Sequence, residues 1–146
     1  MLSDLILEHK GKATGHRVMD VDINQKRETT VIANGKVREV DVSLIITYWN
    51  RPRFNAGGTI KETTPYYYGE GKGMISTKQD SNGIATVIEY GVGRALGNIT
   101  IWRGSAFYTT QSSSSTSKLA LLNNLVGVFE TEVHNVSGDV SQKVWE

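Results

Sequence analysis

The chain has 146 residues, no cysteine and a formal net charge of +1, from 16 lysines and arginines against 15 aspartates and glutamates. This length predicts one domain over residues 1–146. The absence of cysteine excludes disulfides, thiol catalysis and thiolate metal sites. The near-zero charge, with no run of basic residues, gives no field that would attract nucleic acid or an anionic membrane, so neither is expected as a partner.

The beginning of the chain carries no targeting or membrane signal. Residues 1–12 have neither a basic start nor a long apolar core, so no secretion signal is expected. No segment approaches the roughly 20 apolar residues that a membrane-spanning helix needs. We therefore expect a soluble, cytoplasmic protein.

The first residues predict two strands. Residues 2–9 are apolar enough for a short strand or one helical turn, of which we favour the strand, and this element should stop at Lys10-Gly11-Lys12. Residues 13–23 then alternate in polarity, which is typical of a strand with one buried face.

The following segment predicts a hairpin and a loop. A β-rich run over residues 27–33 ends at Asn34-Gly35, the strongest two-residue hairpin signal in the sequence. A strand over residues 36–49 should follow. Residues 50–64 contain Pro52 and several other strand-breaking residues, so we expect a loop over one mouth of a barrel.

Glycines at alternate positions mark the central region, residues 66–110. They share one face of each of two predicted strands, because successive side chains of a strand point to opposite faces. A bare strand face lets a sheet coil tightly, or lets a bulky neighbour lie against the backbone. With the turn signals that separate its segments, the region predicts three antiparallel strands. The glycines are Gly69, Gly71, Gly73, Gly91 and Gly93.

The last third predicts a polar loop, one short helix and two strands. The serine-rich residues 111–117 have no packing content, and Ser117 can cap a helix over residues 118–125. Strands are expected over residues 126–134 and 140–145. Together these elements predict an all-β fold, an eight- to nine-stranded antiparallel barrel with one short helix.

A set of motifs runs from the glycine-rich strands to the last residue. They are Tyr68-Gly69-Glu70-Gly71-Lys72-Gly73, Thr77, Asp80, Gly83, Gly91-Val92-Gly93, Arg103-Gly104, Tyr108, Thr110, Leu119, Leu122-Asn123, Phe129-Glu130-Thr131-Glu132 and Trp145-Glu146. This pattern resembles a group of uncharacterised bacterial and archaeal proteins and, more distantly, the allene oxide cyclase and dirigent barrels. The resemblance implies an eight-stranded, calycin-like barrel that often self-associates. No catalytic residue of the cyclases can be mapped onto this chain.

Familiar catalytic and cofactor motifs are missing. The glycines around Lys72 lack the Ser or Thr and the helix of a phosphate loop, and residues 91–97 miss the dinucleotide spacing. The three histidines lack metal-ligand spacing. We therefore expect neither a metal nor a cofactor, and the sequence leaves open whether the protein is an enzyme.

Charges placed within apolar strands are the better candidates for a site. Arg103 shares a face with Ile99, Ile101 and Phe107. If that face is inner, the guanidinium needs a carboxylate, from Glu130 or Glu70. One interpretation is a structural ion pair or a pair of exposed charges. The other is a polar cluster in a barrel mouth that orients a small ligand.

Two classes of function stay open. The first is a barrel that binds a small hydrophobic molecule in its mouth. The second is a filled barrel that self-associates, as a dimer or trimer, without catalytic activity. Trp49, Phe54 and Trp102 could line a pocket or an interface, although core packing is the expected use of any one of them. The candidate ligand-binding residues are Tyr68, Glu70, Arg103, Tyr108, Glu130 and Glu132.

Overall fold

The computed structural model describes residues 4–18, 27–52, 66–78, 83–110 and 118–146. Its strands form a closed eight-stranded barrel in which each strand pairs with the next and the last pairs with the first. All of these pairings are antiparallel. The predicted fold class is therefore confirmed. The strands are β1 Leu5–Val18, β2 Arg27–Val37, β3 Val40–Pro52, β4 Tyr66–Thr77, β5 Ile84–Leu96, β6 Ile99–Thr110, β7 Leu125–His134 and β8 Asp139–Trp145.

The strand alternation decides which side chains fill the barrel. On β3, Val42, Leu44 and Ile46 are buried, whereas Ile45 between them is 57% exposed. The same alternation on β5 buries Ala85, Val87 and Glu89. On these two strands the inward face therefore carries aliphatic groups and, at Glu89, a carboxyl.

The bare glycine faces point inward and lie beneath aromatic rings. A Cβ atom at Gly69 would lie 2.6 Å from the ring of Trp102, and one at Gly93 would lie 2.8 Å from the same ring. A Cβ atom at Gly71 would lie 2.7 Å from the ring of Tyr48. These rings reach across β4 and β5 because the glycines have no side chain. Of the two uses predicted for a bare strand face, these contacts bear out the second, a bulky neighbour against the backbone.

The predicted helix over residues 118–125 is a single 3-10 turn, Ala120–Leu122. Asn123 is already extended, and β7 begins two residues later, so the segment is too short for an α-helix. Leu119 and Leu122 are fully buried in the main core cluster, whereas Leu121 between them is 38% exposed. The predicted Ser117 cap lies outside the described residues. No helix in the described part of the chain is long and apolar enough to span a membrane.

The hairpin predicted at Asn34-Gly35 is wrong. Strand β2 continues to Val37, and the turn lies at Arg38 and Glu39. Inward alternation continues through Gly35, which pairs with His9 on β1 and Val42 on β3. Long-range pairing on both sides thus overrides the local turn preference of Asn-Gly.

Two other predicted strand boundaries are also corrected. Strand β1 runs without a break through Lys10-Gly11-Lys12, because Gly11 pairs directly with Ala33 of β2. Strand β3 extends into the predicted loop as far as Pro52. The rest of that loop, with Phe54, lies outside the described residues.

Candidate ligand-binding cavity

One end of the barrel holds a cavity of about 740 Å³. It lies where β2, β4, β6 and β8 begin and where β1, β3, β5 and β7 end. Described residues on all eight strands line it. They are Ala13, Arg27, Thr29, Val31, Tyr48, Trp49, Asn50, Tyr67, Gly69, Glu70, Gly71, Glu89, Gly91, Ala95, Gly97, Thr100, Trp102, Phe129, Thr131, Val133, His134, Asn135, Val136, Ser137, Gly138 and Val140.

Aromatic rings form much of the wall. Trp102 lies over Gly93 and Gly69, and its ring centroid is 6.3 Å from that of Tyr67. Phe129 approaches the position of a Cβ on Gly91 to 2.9 Å. The glycines leave the space that the rings and the cavity occupy, so the glycine-rich strands build this end of the barrel.

Glu89 is the carboxyl of the cavity wall that is most deeply buried, with 1% of its surface exposed. Its Oε2 accepts a hydrogen bond from the Tyr48 hydroxyl at 2.8 Å. Strand β4 lies between these two residues, and Gly71, which pairs with both, lets the Tyr48 ring cross it. The missing side chain at Gly71 therefore makes this hydrogen bond possible.

A second donor reaches the other oxygen of this carboxyl. Gln142 Nε2 donates to Glu89 Oε1 at 2.5 Å and to Thr131 Oγ1 at 2.8 Å. Burial raises the pKa of Glu89 to about 7, and the hydrogen bonds from Tyr48 and Gln142 oppose that rise. The carboxyl therefore changes its charge near neutral pH.

Gln142 also connects Glu89 to the only basic side chain among the buried residues that the structure describes. Its Oε1 lies 2.6 Å from His9 Nε2, so the histidine must donate there. Burial lowers the pKa of His9, which keeps the ring neutral. His9, Gln142 and Glu89 thus form a chain in which each donor points toward the carboxyl.

Two buried polar atoms near this network have no hydrogen-bond partner within the described part of the chain. They are the hydroxyl of Tyr108 and Nδ1 of His9. Burial, and then the charge of Glu89, raise the pKa of Tyr108 well above its ordinary value. The tyrosine is therefore a neutral hydroxyl beneath the cavity.

Arg27 is the cationic side chain of the cavity lining. It is half-buried, and its Nε has no hydrogen-bond partner among the residues that the structure describes. It precedes Thr29 by two positions on β2, and Thr29 pairs with Tyr48. Because two strand residues span about 7 Å, Arg27 lies nearer the mouth than the Tyr48–Glu89 pair does.

The structure divides the six candidate residues of the sequence between the two sides of the barrel. Tyr108 is buried inside, and Glu70 is exposed but contributes to the cavity lining. The other candidates, Tyr68, Arg103, Glu130 and Glu132, are not among the residues of the cavity wall.

Arg103 forms the predicted ion pair with Glu130, at 3.1 Å, but not the buried one that an inner face would require. Its side chain is 70% exposed, so its strand face is the outer one. On the same surface, Glu132 pairs with His134 at 3.1 Å. The predicted pairing of Arg103 with Glu130 is present, and of the interpretations left open by the sequence it is an exposed pair of charges.

The sequence analysis missed the central polar group of the cavity. Glu89 shares a face with Ala85, Val87 and Gly91, and this alternation was visible in the sequence. A carboxyl on the small, apolar face of a strand was the available signal. His9 and Gln142 carried no such signal, because only barrel closure between β1 and β8 brings them together.

Comparisons with known proteins support the fold and give no activity. No family model matches the chain, and no curated protein matches it. The chain is similar to a conserved bacterial protein of unknown function from Rhodopseudomonas palustris, known from its crystal structure. The two share 10% sequence identity with a TM-score of 0.68, over 99% of this chain and 98% of the other. At this identity the likeness extends to the fold alone.

Proposed function

We propose that the barrel binds a small, mostly apolar molecule in the mouth cavity, where Glu89 and Tyr48 meet its polar group. The observation that carries this proposal is a cavity of about 740 Å³ with a buried carboxyl in its wall. Ligand sites commonly measure about 300–1,000 Å³, with apolar walls and a few placed polar groups.

The cost of this arrangement supports a functional use. Side chains beside empty space lose dispersion contacts, and a buried acid loses hydration, so both features oppose stability. Larger residues in place of Gly69, Gly71 and Gly91 could fill the same volume if the neighbouring rings were smaller. A barrel that served only as a scaffold would gain stability from such filling.

The candidate residues on the outer surface are not needed for this mode of binding. A ligand role for Tyr68, Arg103, Glu130 or Glu132 stays a prediction. The likeness to allene oxide cyclase barrels also stays a prediction, and a reaction is not part of this proposal.

A neutral hydrophobic dye tests the proposal, with two matched variants. Ala95 lines the cavity, whereas the next residue, Leu96, is 48% exposed on the outside. Ala95→Trp should abolish the emission gain of Nile red, because the indole occupies the mouth. Leu96→Trp adds the same ring outside and should preserve the gain. Equal dye binding by both variants would contradict a cavity site.

Self-association is a second candidate function, and one feature of the outer surface favours it. An outer apolar band, Ile32, Ile45, Met74, Ile88, Phe107 and Val126, is exposed on β2 to β7. On β2 to β4, Ile32 pairs with Ile45 and Ile45 with Met74; on β5 to β7, Ile88 pairs with Phe107 and Phe107 with Val126. The two halves meet on a diagonal, because Met74 pairs with Thr86 and Ile88 with Lys72. Clustered exposed apolar surface of this kind is typical of interfaces. Copies of the same chain are the partner we infer, because a net charge of +1 gives little repulsion between them.

A further inference from the structure

Resting on the proposed ligand-binding function, we propose that the cavity selects an organic cation, a protonated amine on a flat apolar frame, with the ammonium group against Glu89. The argument begins with hydrogen-bond directions. Both oxygens of Glu89 accept, one from Tyr48 and one from Gln142. Such a pair of donors suits an ionised carboxylate, which can only accept.

The hydrogen bonds of Gln142 also run toward the Glu89 carboxyl. Gln142 gives its amide oxygen to His9 and its nitrogen to Glu89 and Thr131. Turning the amide over would place its oxygen against Glu89, where an ionised carboxylate has no hydrogen to donate, whereas His9 could donate or accept according to its tautomer. The polar network is therefore built to receive negative charge at Glu89.

Among the side chains that the structure describes, no cation balances this charge. The buried residues in the described ranges include no lysine or arginine, and His9 is separated from Glu89 by Gln142. Arg27 lies about two strand residues nearer the mouth, and the hydrogen bonds that Glu89 accepts from Tyr48 and Gln142 come from uncharged groups. A buried carboxylate without a counter-charge is costly, and a ligand cation that reaches the cavity floor would remove that cost.

The walls suit the rest of such a ligand. The rings of Tyr48, Trp102 and Phe129 line the cavity together with Glu89. Aromatic faces attract ammonium groups and stack on flat apolar frames. An anionic ligand would instead place its charge against Arg27, and a neutral alcohol would use neither charge.

Three ligands with one indole frame separate these cases: tryptamine, tryptophol and indole-3-propionate. Calorimetric titration at pH 8 should give the tightest binding for tryptamine, by at least about tenfold. Glu89→Gln should remove that preference and leave tryptophol binding unchanged. Arg27→Ala should leave tryptamine binding equal or tighter, because it removes a like charge from the mouth.

The pH dependence gives a second readout. Because the pKa of Glu89 is about 7, the ionised fraction rises about tenfold between pH 6 and pH 8, and tryptamine affinity should rise equally. Within the described ranges, the titratable groups that face Glu89 are Tyr48, Tyr108 and, through Gln142, His9. Arg27, Glu70 and His134 also line the cavity. Their contributions remain in Glu89→Gln, so the difference between the two proteins isolates Glu89.

The outcomes separate this inference from the proposed function. Tightest binding of tryptophol would overturn the proposal of an organic cation but would leave the cavity as a ligand site. The same holds if indole-3-propionate binds tightest and Arg27→Ala abolishes its binding. Failure of all three to bind would also overturn the cation, and the dye experiment would then decide the cavity site by itself. Tryptamine binding that is unchanged by Glu89→Gln would overturn the placement at Glu89.

Discussion

Replacing Glu89 by glutamine should change the pH dependence of stability in a defined direction. The folded protein raises the pKa of this carboxyl from 4.5 to about 7, and burial is the main cause. An acid with a raised pKa contributes stability below its unfolded pKa, and that contribution is lost as the pH rises through the folded value. The window is therefore about pH 4.5 to 7.

The magnitude follows from linkage. A tenfold change in an acid dissociation constant corresponds to about 1.4 kcal/mol. Ionisation of Glu89 should therefore lower the free energy of unfolding of the wild-type protein by about 2.5 kcal/mol between pH 5 and pH 8. An amide side chain does not ionise, so Glu89→Gln escapes this loss. His9 has a lowered pKa, so it acts in the opposite sense, losing stability at acid pH, but it does so in both proteins.

Urea unfolding followed by tryptophan fluorescence at several pH values would measure the effect. The free energy of unfolding of Glu89→Gln minus that of wild type should rise by about 2.5 kcal/mol from pH 5 to pH 8. Glu130→Gln is the matched control, because that carboxyl is on the outer surface. A difference that stays constant within about 0.5 kcal/mol would refute the buried, near-neutral carboxyl.

Three further predictions concern packing, the surface and assembly. Gly71→Ala should lower the free energy of unfolding by about 1–3 kcal/mol, because the new methyl displaces the Tyr48 ring that reaches Glu89. Lys72→Ala, on the exposed face of the same strand, should lower it much less. Equal losses for the two variants in urea unfolding would contradict this. Arg103→Met should cost under about 1 kcal/mol in the same assay, since its ion pair is exposed, and a loss above about 3 kcal/mol would mean a buried pair. Light scattering at micromolar concentration should give a dimer or trimer that Phe107→Ser weakens; the mass of one chain, 16.1 kDa, for the wild-type protein would refute self-association.

The local patterns of this sequence predicted the fold class better than the strand ends. Alternation and glycine spacing gave β4, β5 and β6, because these strands are long and regular. The turn predicted at Asn34-Gly35 was wrong, because the local turn preference of this pair is weaker than the long-range pairing of β2 with β1 and β3. The break expected at Lys10-Gly11-Lys12 failed for the same reason.

The site was harder to predict, because alternation gives two faces and does not say which is inner. The apolar residues beside Arg103 made an inner face one of two options, yet Phe107 belongs to the exposed apolar band. Glu89 lies on the face that the glycines share, which was the better indicator of the interior. The contacts of Gln142 with His9 and Glu89 join the two ends of the chain to its middle, and no local pattern encodes such contacts.

Native mass spectrometry of the freshly purified protein tests the central claim, a small molecule held in the mouth cavity, most directly. The account predicts a mass above that of the polypeptide, a released small molecule on unfolding, and loss of that molecule in Ala95→Trp but not in Leu96→Trp. A wild-type mass equal to the polypeptide alone, or a bound molecule that persists equally in Ala95→Trp, would contradict it.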